Sequence, residues 1–320
     1  MRLSLGPLLY QWSRDAIEAF YAERMADPVD VVYLGETVCA KRRSLATDDW
    51  LALGRELAGA GKQVVISTLA LVQAGSELAT VRRLCRNGEF LVEANHMGAV
   101  RLLADAGLPF VGGASLNLYN VAALRLLRGR GMVRWVPPLE LSRDDLGDLL
   151  GEARRAGIVL ETELFAFGRV PLACSARCFT ARHVGRPKDR CEIVCEDYPE
   201  GLPMASQEGE PLFTLNGVQT QSGAVQHLLG HGGALAELGV EILRLSPQPA
   251  HMGEIIGRYR AALDGACAET AVDRLKRRLA WRGDAEEAAW EKETGFNLLT
   301  LAAALDDTAA VAELLAGDDA

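Results

Sequence analysis

No stretch of this chain is apolar for long enough to cross a bilayer. The longest uncharged segment runs from Ala106 to Leu124 and carries Pro109, Gly112, Gly113, Asn117 and Asn120. It reads as strand, loop and helix start rather than a membrane span. The first ten residues contain one arginine, and Gly6 and Pro7 interrupt their apolar run. That run is too short for a signal-peptide core and lacks a small-residue cleavage site. Positive charge is also scarce. Lys plus Arg number 34 against 43 Asp plus Glu, a formal charge of −9, which argues against broad nucleic-acid or anionic-membrane binding. Aromatics make up 6% and hydrophobic residues 49%, the composition of a soluble protein with an ample core. Two glycine-rich stretches, Gly230-x-Gly-Gly and Val111-Gly-Gly-Ala, do not follow the dinucleotide fingerprint. Ser115 and Ser175 lack a nucleophile-elbow context, so a serine or cysteine peptidase has little support.

Seven cysteines is an odd number, and without a secretory signal it argues against a disulfide framework. The expected compartment is the reduced cytoplasm. Four of the seven, Cys174, Cys178, Cys191 and Cys195, crowd into one basic stretch with Arg177, Arg182, His183, Arg186, Lys188 and Arg190. Thiolates clustered at short spacing suit zinc or an iron–sulfur cluster.

Strand-like and helix-like segments alternate along the chain. Strands are expected at Leu3–Gly6, Asp30–Leu34, Gln63–Leu69, Phe90–Glu93, Phe110–Gly112, Met132–Val136, Ile158–Leu164 and Glu241–Leu245. Helical spacing or a start signal marks Ser13–Met25, Thr47–Gly59, Glu77–Arg86, Ser142–Ala156 and Glu254–Leu263. Eight strands alternating with helices predict an α/β fold, a TIM-barrel-like (β/α)8 barrel over residues 1–270, with a doubly wound sheet as the alternative. About seventy residues separate strands seven and eight, and the cysteines sit in that insertion, at about 165–225; long insertions of this kind are usually functional. Residues 271–320 read as a helical C-terminal extension.

Cys178, Cys191 and Cys195 supply three thiolates, and a metal site usually wants four. Cys174 would complete a symmetric Cys-x3-Cys…Cys-x3-Cys set, the pattern of a structural zinc site. Cys39 follows strand two, on the rim where barrel active sites assemble and from which the insertion also leaves. Geometry permits either. Cys85 and Cys267 read as buried free thiols. His227 and His231, spaced i, i+4, could share a helix face. His183 could donate to the cysteine site, and His96 and His251 read as helix caps.

Several blocks then resemble a known family. They are Leu5-Gly-Pro-Leu-Leu-Tyr10, Tyr33-Leu-Gly-Glu-x-Val-Cys39-x-Lys-Arg-Arg43, Ser67–Gln73, Ser175-Ala-Arg-Cys178-Phe-Thr-Ala-Arg182, Arg186-Pro-Lys-Asp-x-Cys191-x3-Cys195 and Leu215-Asn-Gly-Val-Gln-Thr220. Together they resemble the collagenase-like peptidase family over residues 1 to about 265, and within it the members that serve oxygen-independent ubiquinone biosynthesis. The resemblance implies a [4Fe–4S] cluster on Cys39, Cys178, Cys191 and Cys195, with Cys174 standing where those members carry an aromatic residue. It also implies a subunit of an O2-independent hydroxylase acting on a ubiquinone ring precursor. The implied partners are a paralogous cluster protein, as heterodimer, and a lipid-binding accessory protein. Nearby basic residues, Lys41, Arg42, Arg43 and those of the cysteine stretch, lower thiol pKa values and raise a cluster's potential. Two other readings stand beside this one: a collagenase-like peptidase or RNA-modification factor, and a non-enzymatic zinc-stapled scaffold.

Overall fold

The computed structural model describes residues 1–265. Eleven strands form one sheet: β1 (Arg2–Leu5), β2 (Val31–Leu34), β3 (Gln63–Ser67), β4 (Leu91–Ala94), β5 (Phe110–Gly112), β6 (Met132–Trp135), β7 (Glu161–Cys174), β8 (Leu202–Ala205), β9 (Pro211–Asn216), β10 (Gln219–His227) and β11 (Ile242–Leu245). Strands β1 to β7 pair in order, all parallel, and β11 pairs parallel with both β7 and β1. That last strand closes an eight-stranded barrel, so the expected (β/α)8 fold is the one observed. Each of the eight expected strands is present.

The helices are α1 (Arg14–Arg24), α2 (Thr47–Gly59), α3 (Gly75–Cys85), α4 (Met97–Asp105), α5 (Val121–Arg128), α6 (Arg143–Arg155), α7 (Phe179–His183), α8 (Gly232–Leu238) and α9 (Met252–Leu263). Polar side chains start several of them. Ser13, Asn120 and Ser142 cap α1, α5 and α6 by accepting from Ala16 N, Ala123 N and Asp145 N. His96 caps α4, accepting from Gly98 N at 3.1 Å, as its position in the sequence suggested. His251 also stands at a helix start, but its side chain makes no capping bond.

Period-two alternation sorts the strands' side chains between two cores. On β2, Val32 and Leu34 join the large core under the helices, whereas Val31 and Tyr33 join Val65, Val111 and Val136 in a small one of their own. Gly35 ends β2 at φ +109°, and a Cβ there would lie 2.8 Å from the Ser67 carbonyl oxygen, so no larger residue fits this close approach.

Strand seven departs from expectation. It was expected to end at Leu164 but runs to Cys174, far beyond the barrel. Its outer half pairs antiparallel with β10, and β9 and β8 follow antiparallel, so the insertion is a three-stranded extension of a barrel strand. His227 ends β10 and His231 sits in a 3-10 turn before α8, so the two do not share a helix face. The proposed extension at 271–320 and Cys267 lie outside the described residues. Among the described residues no helix is long and apolar enough to cross a membrane.

Candidate functional site

The barrel interior is charged. Glu163 is completely buried and accepts from Ser4 Oγ at 2.6 Å, from Arg244 Nε at 2.8 Å and from the Tyr33 hydroxyl. Arg244 reaches on to Glu93 through Nη1 at 2.7 Å, and its guanidinium carbon lies 4.1 Å from the centre of the Tyr33 ring. Below it, Arg134 donates to Tyr33, Glu161 and Gln63. Burial alone would raise the Glu163 pKa, but Arg244 and Arg134 outweigh it and hold the carboxyl below its ordinary range. Sequence reasoning did not single out Glu93, Arg134, Glu163 or Arg244. The available signal was a lone charge inside an otherwise apolar strand run, as in Ile-Leu-Arg-Leu.

This network floors a cavity of about 370 Å³. Its walls come from segments after several strands: Thr37 after β2, Asn95 after β4, Ser115 after β5, Pro138 after β6, Ser246 after β11, and Cys174 and Gln219 from the insertion. Those positions mark the C-terminal mouth, where barrels place their active sites. Ser115 donates to the Asn95 backbone carbonyl at 2.6 Å.

Next to the mouth the insertion meets the loop after β2. Lys41 Nζ donates to the Lys188 carbonyl at 2.8 Å, and Lys188 Nζ donates to Gln73 and Ala176. Glu36 pins the Cys39 loop by accepting from Val38 N and Cys39 N, at 2.7 and 2.9 Å, and burial raises its pKa. Arg42 is buried and donates to the Leu9 carbonyl at 2.5 Å and to Asn216 Oδ1 at 2.6 Å. It also lies against the Cys195 thiol, and its Nε has no hydrogen-bond partner. Gly217, at φ +67°, makes the β9–β10 turn, and a Cβ there would lie 3.0 Å from Arg42 Nη2.

The cysteines arrive on short, strained pieces of chain. Cys178 heads α7, and its Sγ accepts from Ala181 N at 3.4 Å. Cys191 follows a 3-10 turn and packs with Cys178, Ala181 and Val194. Between Cys191 and Cys195, Glu192 and Ile193 both take positive φ, 49° and 55°, which is costly for a β-branched residue. Burial raises the Cys195 pKa; the Arg42 charge opposes this, while Cys178 and Cys39 add to it. Cys195 therefore stands within electrostatic reach of both. Cys174 differs: its residue is exposed, and partial burial of the thiol is the one influence that raises its pKa. As the side chains stand, no group of three or more His, Cys, Asp or Glu among the described residues could hold a metal ion. Cys85 is buried on α3, and burial pushes its thiol up to about 11. His183 packs edge-on against Tyr198, with ring centres 6.4 Å apart.

Comparison with known proteins adds the following. The sequence model of peptidase family U32 matches residues 17–297. A U32 peptidase of known structure shares 12% identity, with 78% of this chain and 94% of that one covered at a TM-score of 0.41. The 3-hexulose-6-phosphate synthase of Salmonella typhimurium shares 14% over 83% of this chain and all of its own, at a TM-score of 0.44. A dihydrodipicolinate synthetase-like protein of Pseudomonas aeruginosa shares 10%, covering 83% of this chain and 77% of its own, at 0.43.

Proposed function

Because the chain belongs to the peptidase U32 family, we propose that it is a UbiV-type member: a subunit that holds a [4Fe–4S] cluster on Cys39, Cys178, Cys191 and Cys195. It acts with a UbiU-type paralogue in O2-independent hydroxylation of the ubiquinone ring precursor, with a UbiT-type lipid-binding protein as accessory. The observation that carries this reading is the contact between the Cys39 loop and the cysteine insertion, where Lys41 Nζ donates to the Lys188 carbonyl at 2.8 Å.

The donor set fits such a group. A cubane takes one thiolate at each of four corners, so its ligands surround it rather than converge on one ion. Arg42, buried beside Cys195 with an unpartnered Nε, suits a hydrogen bond to a sulfur of negative charge. When bound, the cluster would supply one-electron transfer, since four protein ligands leave no iron open. The protein's own part is to hold the thiols and set the charge around them. Burial raises the Cys39 pKa, and the charges of Arg42 and Lys188 oppose it. The apolar packing of Cys191 with Ala181 and Val194 shields that side from water. The neighbouring mouth, with its charged floor, is the place for a small substrate.

Anaerobic purification followed by visible absorption and assays of iron, sulfide and zinc tests the reading. A brown protein that loses iron on Cys39→Ala but keeps it on Cys174→Ala supports it. A colourless protein with one zinc, sensitive to Cys174 instead, replaces it with a structural zinc staple. Normal ubiquinone in an anaerobic strain carrying Cys191→Ala removes the hydroxylase role. Release of peptide from a purified substrate, independent of the cysteines, would favour peptidase chemistry.

A further inference from the structure

A second hollow lies outside the barrel, where α1, the start of α9 and the cysteine insertion meet. It is an open groove of about 700 Å³, room for several side chains rather than for one ion. Ala16, Ala19, Pro199 and Pro249 line it and are all exposed, so its walls are apolar and face solvent. Three carboxylates, Glu23, Glu196 and Glu254, stand along it against one guanidinium, that of Arg24. Arg24 is buried and already ion-paired with Glu23 and Asp27. The carboxylates are open: the Glu23 side chain is 69% exposed, that of Glu254 52%, and Glu196 is exposed too. Glu254 faces His251 Nδ1 at 3.8 Å, and Glu196 has no ion-pair partner among the described residues. An apolar groove with a net negative rim fits a segment that is both apolar and basic.

We propose that this groove seats the chain's own residues 272–282, Val-Asp-Arg-Leu-Lys-Arg-Arg-Leu-Ala-Trp-Arg. The stretch carries four arginines and a lysine against one aspartate, with Leu275, Leu279 and Trp281 among them. It is the one part of the tail with the right charge, since beyond Arg282 the tail's single cation is Lys292 among many carboxylates. Reach allows the return. The groove takes in the first residues of α9, and the helix ends at Leu263, about 17 Å away at the usual rise. The chain from Leu263 to Arg274 spans roughly 35 Å when extended, enough to turn back along α9. Exposed ion pairs are individually weak, but the tether holds the segment at about millimolar effective concentration, so weak contacts suffice. Seated there, the segment lies over Pro199 and over Glu196, the residue after Cys195, and covers that flank of the insertion. The docking needs no cluster, since no cysteine lines the groove.

Carbodiimide crosslinking of the dilute full-length protein tests this. Lys276 should join Glu23, Glu196 or Glu254 in a product of monomer mass, mapped by peptide. A link to those residues found only in a dimer-sized product gives the groove to a second copy and overturns the proposal, as does a Lys276 that links only elsewhere. Limited trypsin digestion supplies a reading that needs no crosslink. The double variant Glu23→Gln, Glu254→Gln should be cleaved after Arg274, Arg277 and Arg278 several-fold faster than wild type, with circular dichroism unchanged. Both side chains are exposed, and Arg24 keeps Asp27, so the fold survives the change. Equal cleavage of variant and wild type overturns the proposal whether or not a link forms. Neither measurement reads iron, so a colourless protein that forms the link leaves the docking standing, and failure of the docking leaves the cluster reading standing.

Discussion

Arg42 Nη2 donates to Asn216 Oδ1 at 2.6 Å, joining the loop after β2 to the hairpin of the insertion across 174 positions of sequence. The same guanidinium holds the Leu9 carbonyl and lies against Cys195. Arg42 is thereby one of the side chains, with Lys41 and Lys188, that tie the thiol site to the barrel. Arg42→Ala strands the buried Asn216 Oδ1, while the Leu9 carbonyl keeps its bond from Asn216 Nδ2, and should cost about 2 kcal/mol in urea unfolding. Arg42→Lys keeps the charge but not the fork and should recover less than half of that.

Glu163 anchors the barrel's inner network, and its charge is what Arg244 and Arg134 face. Glu163→Gln leaves those cations short of a partner and should destabilise by about 3–5 kcal/mol at neutral pH, measured by denaturant midpoint. The pH dependence has a definite sign. The folded pKa of Glu163 is depressed, so its contribution is fully present above the unfolded value of about 4.3 and is lost as pH falls through the folded value. Wild type should lose stability in that acid range, and the Gln variant should show a shallower loss over the same interval.

Gly217 turns the β9–β10 hairpin at positive φ against Arg42. Gly217→Ala combines a left-handed backbone with a tight contact, and should cost about 1–2 kcal/mol. If the turn positions Arg42, iron retention should fall along with stability. Stability loss with full iron content would separate the turn from the thiol site.

Thiol reactivity should follow exposure. Cys174 is exposed, whereas Cys85 is buried with a thiol pushed up to about 11. Brief native-state alkylation at pH 8, mapped by peptide, should label Cys174 well before Cys85. Equal labelling would show that α3 opens on the timescale of the reaction.

The barrel was legible because its strands carry their own signal. Asp30–Leu34 and Gln63–Leu69 are β-branched runs bounded by proline, glycine or charge, and Thr47–Gly59 begins and ends where its composition places it. The outer half of β7 was not legible. Phe165 to Val170 continues without a breaker except Gly168, and its partner β10 lies some fifty residues on, where no local pattern reveals the pairing. The inner network was hidden for a related reason. Glu93, Arg134, Glu163 and Arg244 come from four strands, and each alone is a single charge inside a short strand with nothing local to name its partner. Cys39 and Cys174 compete for one role in the sequence; in the fold Cys39 is half-buried in the loop after β2 and Cys174 is exposed at the end of β7, a difference in burial that spacing alone does not show.

Strand β7 belongs to two structures at once, closing the barrel with its first residues and founding the insertion's sheet with its last. The insertion is therefore continuous with a barrel strand at that boundary. Tilting it would bend a stave of the barrel, and melting it would fray the seam that β11 seals. The two should exchange their amide hydrogens as a single cooperative block rather than as a stable base with a loose cap. Whatever the mouth receives, the thiols beside it are held at a fixed remove.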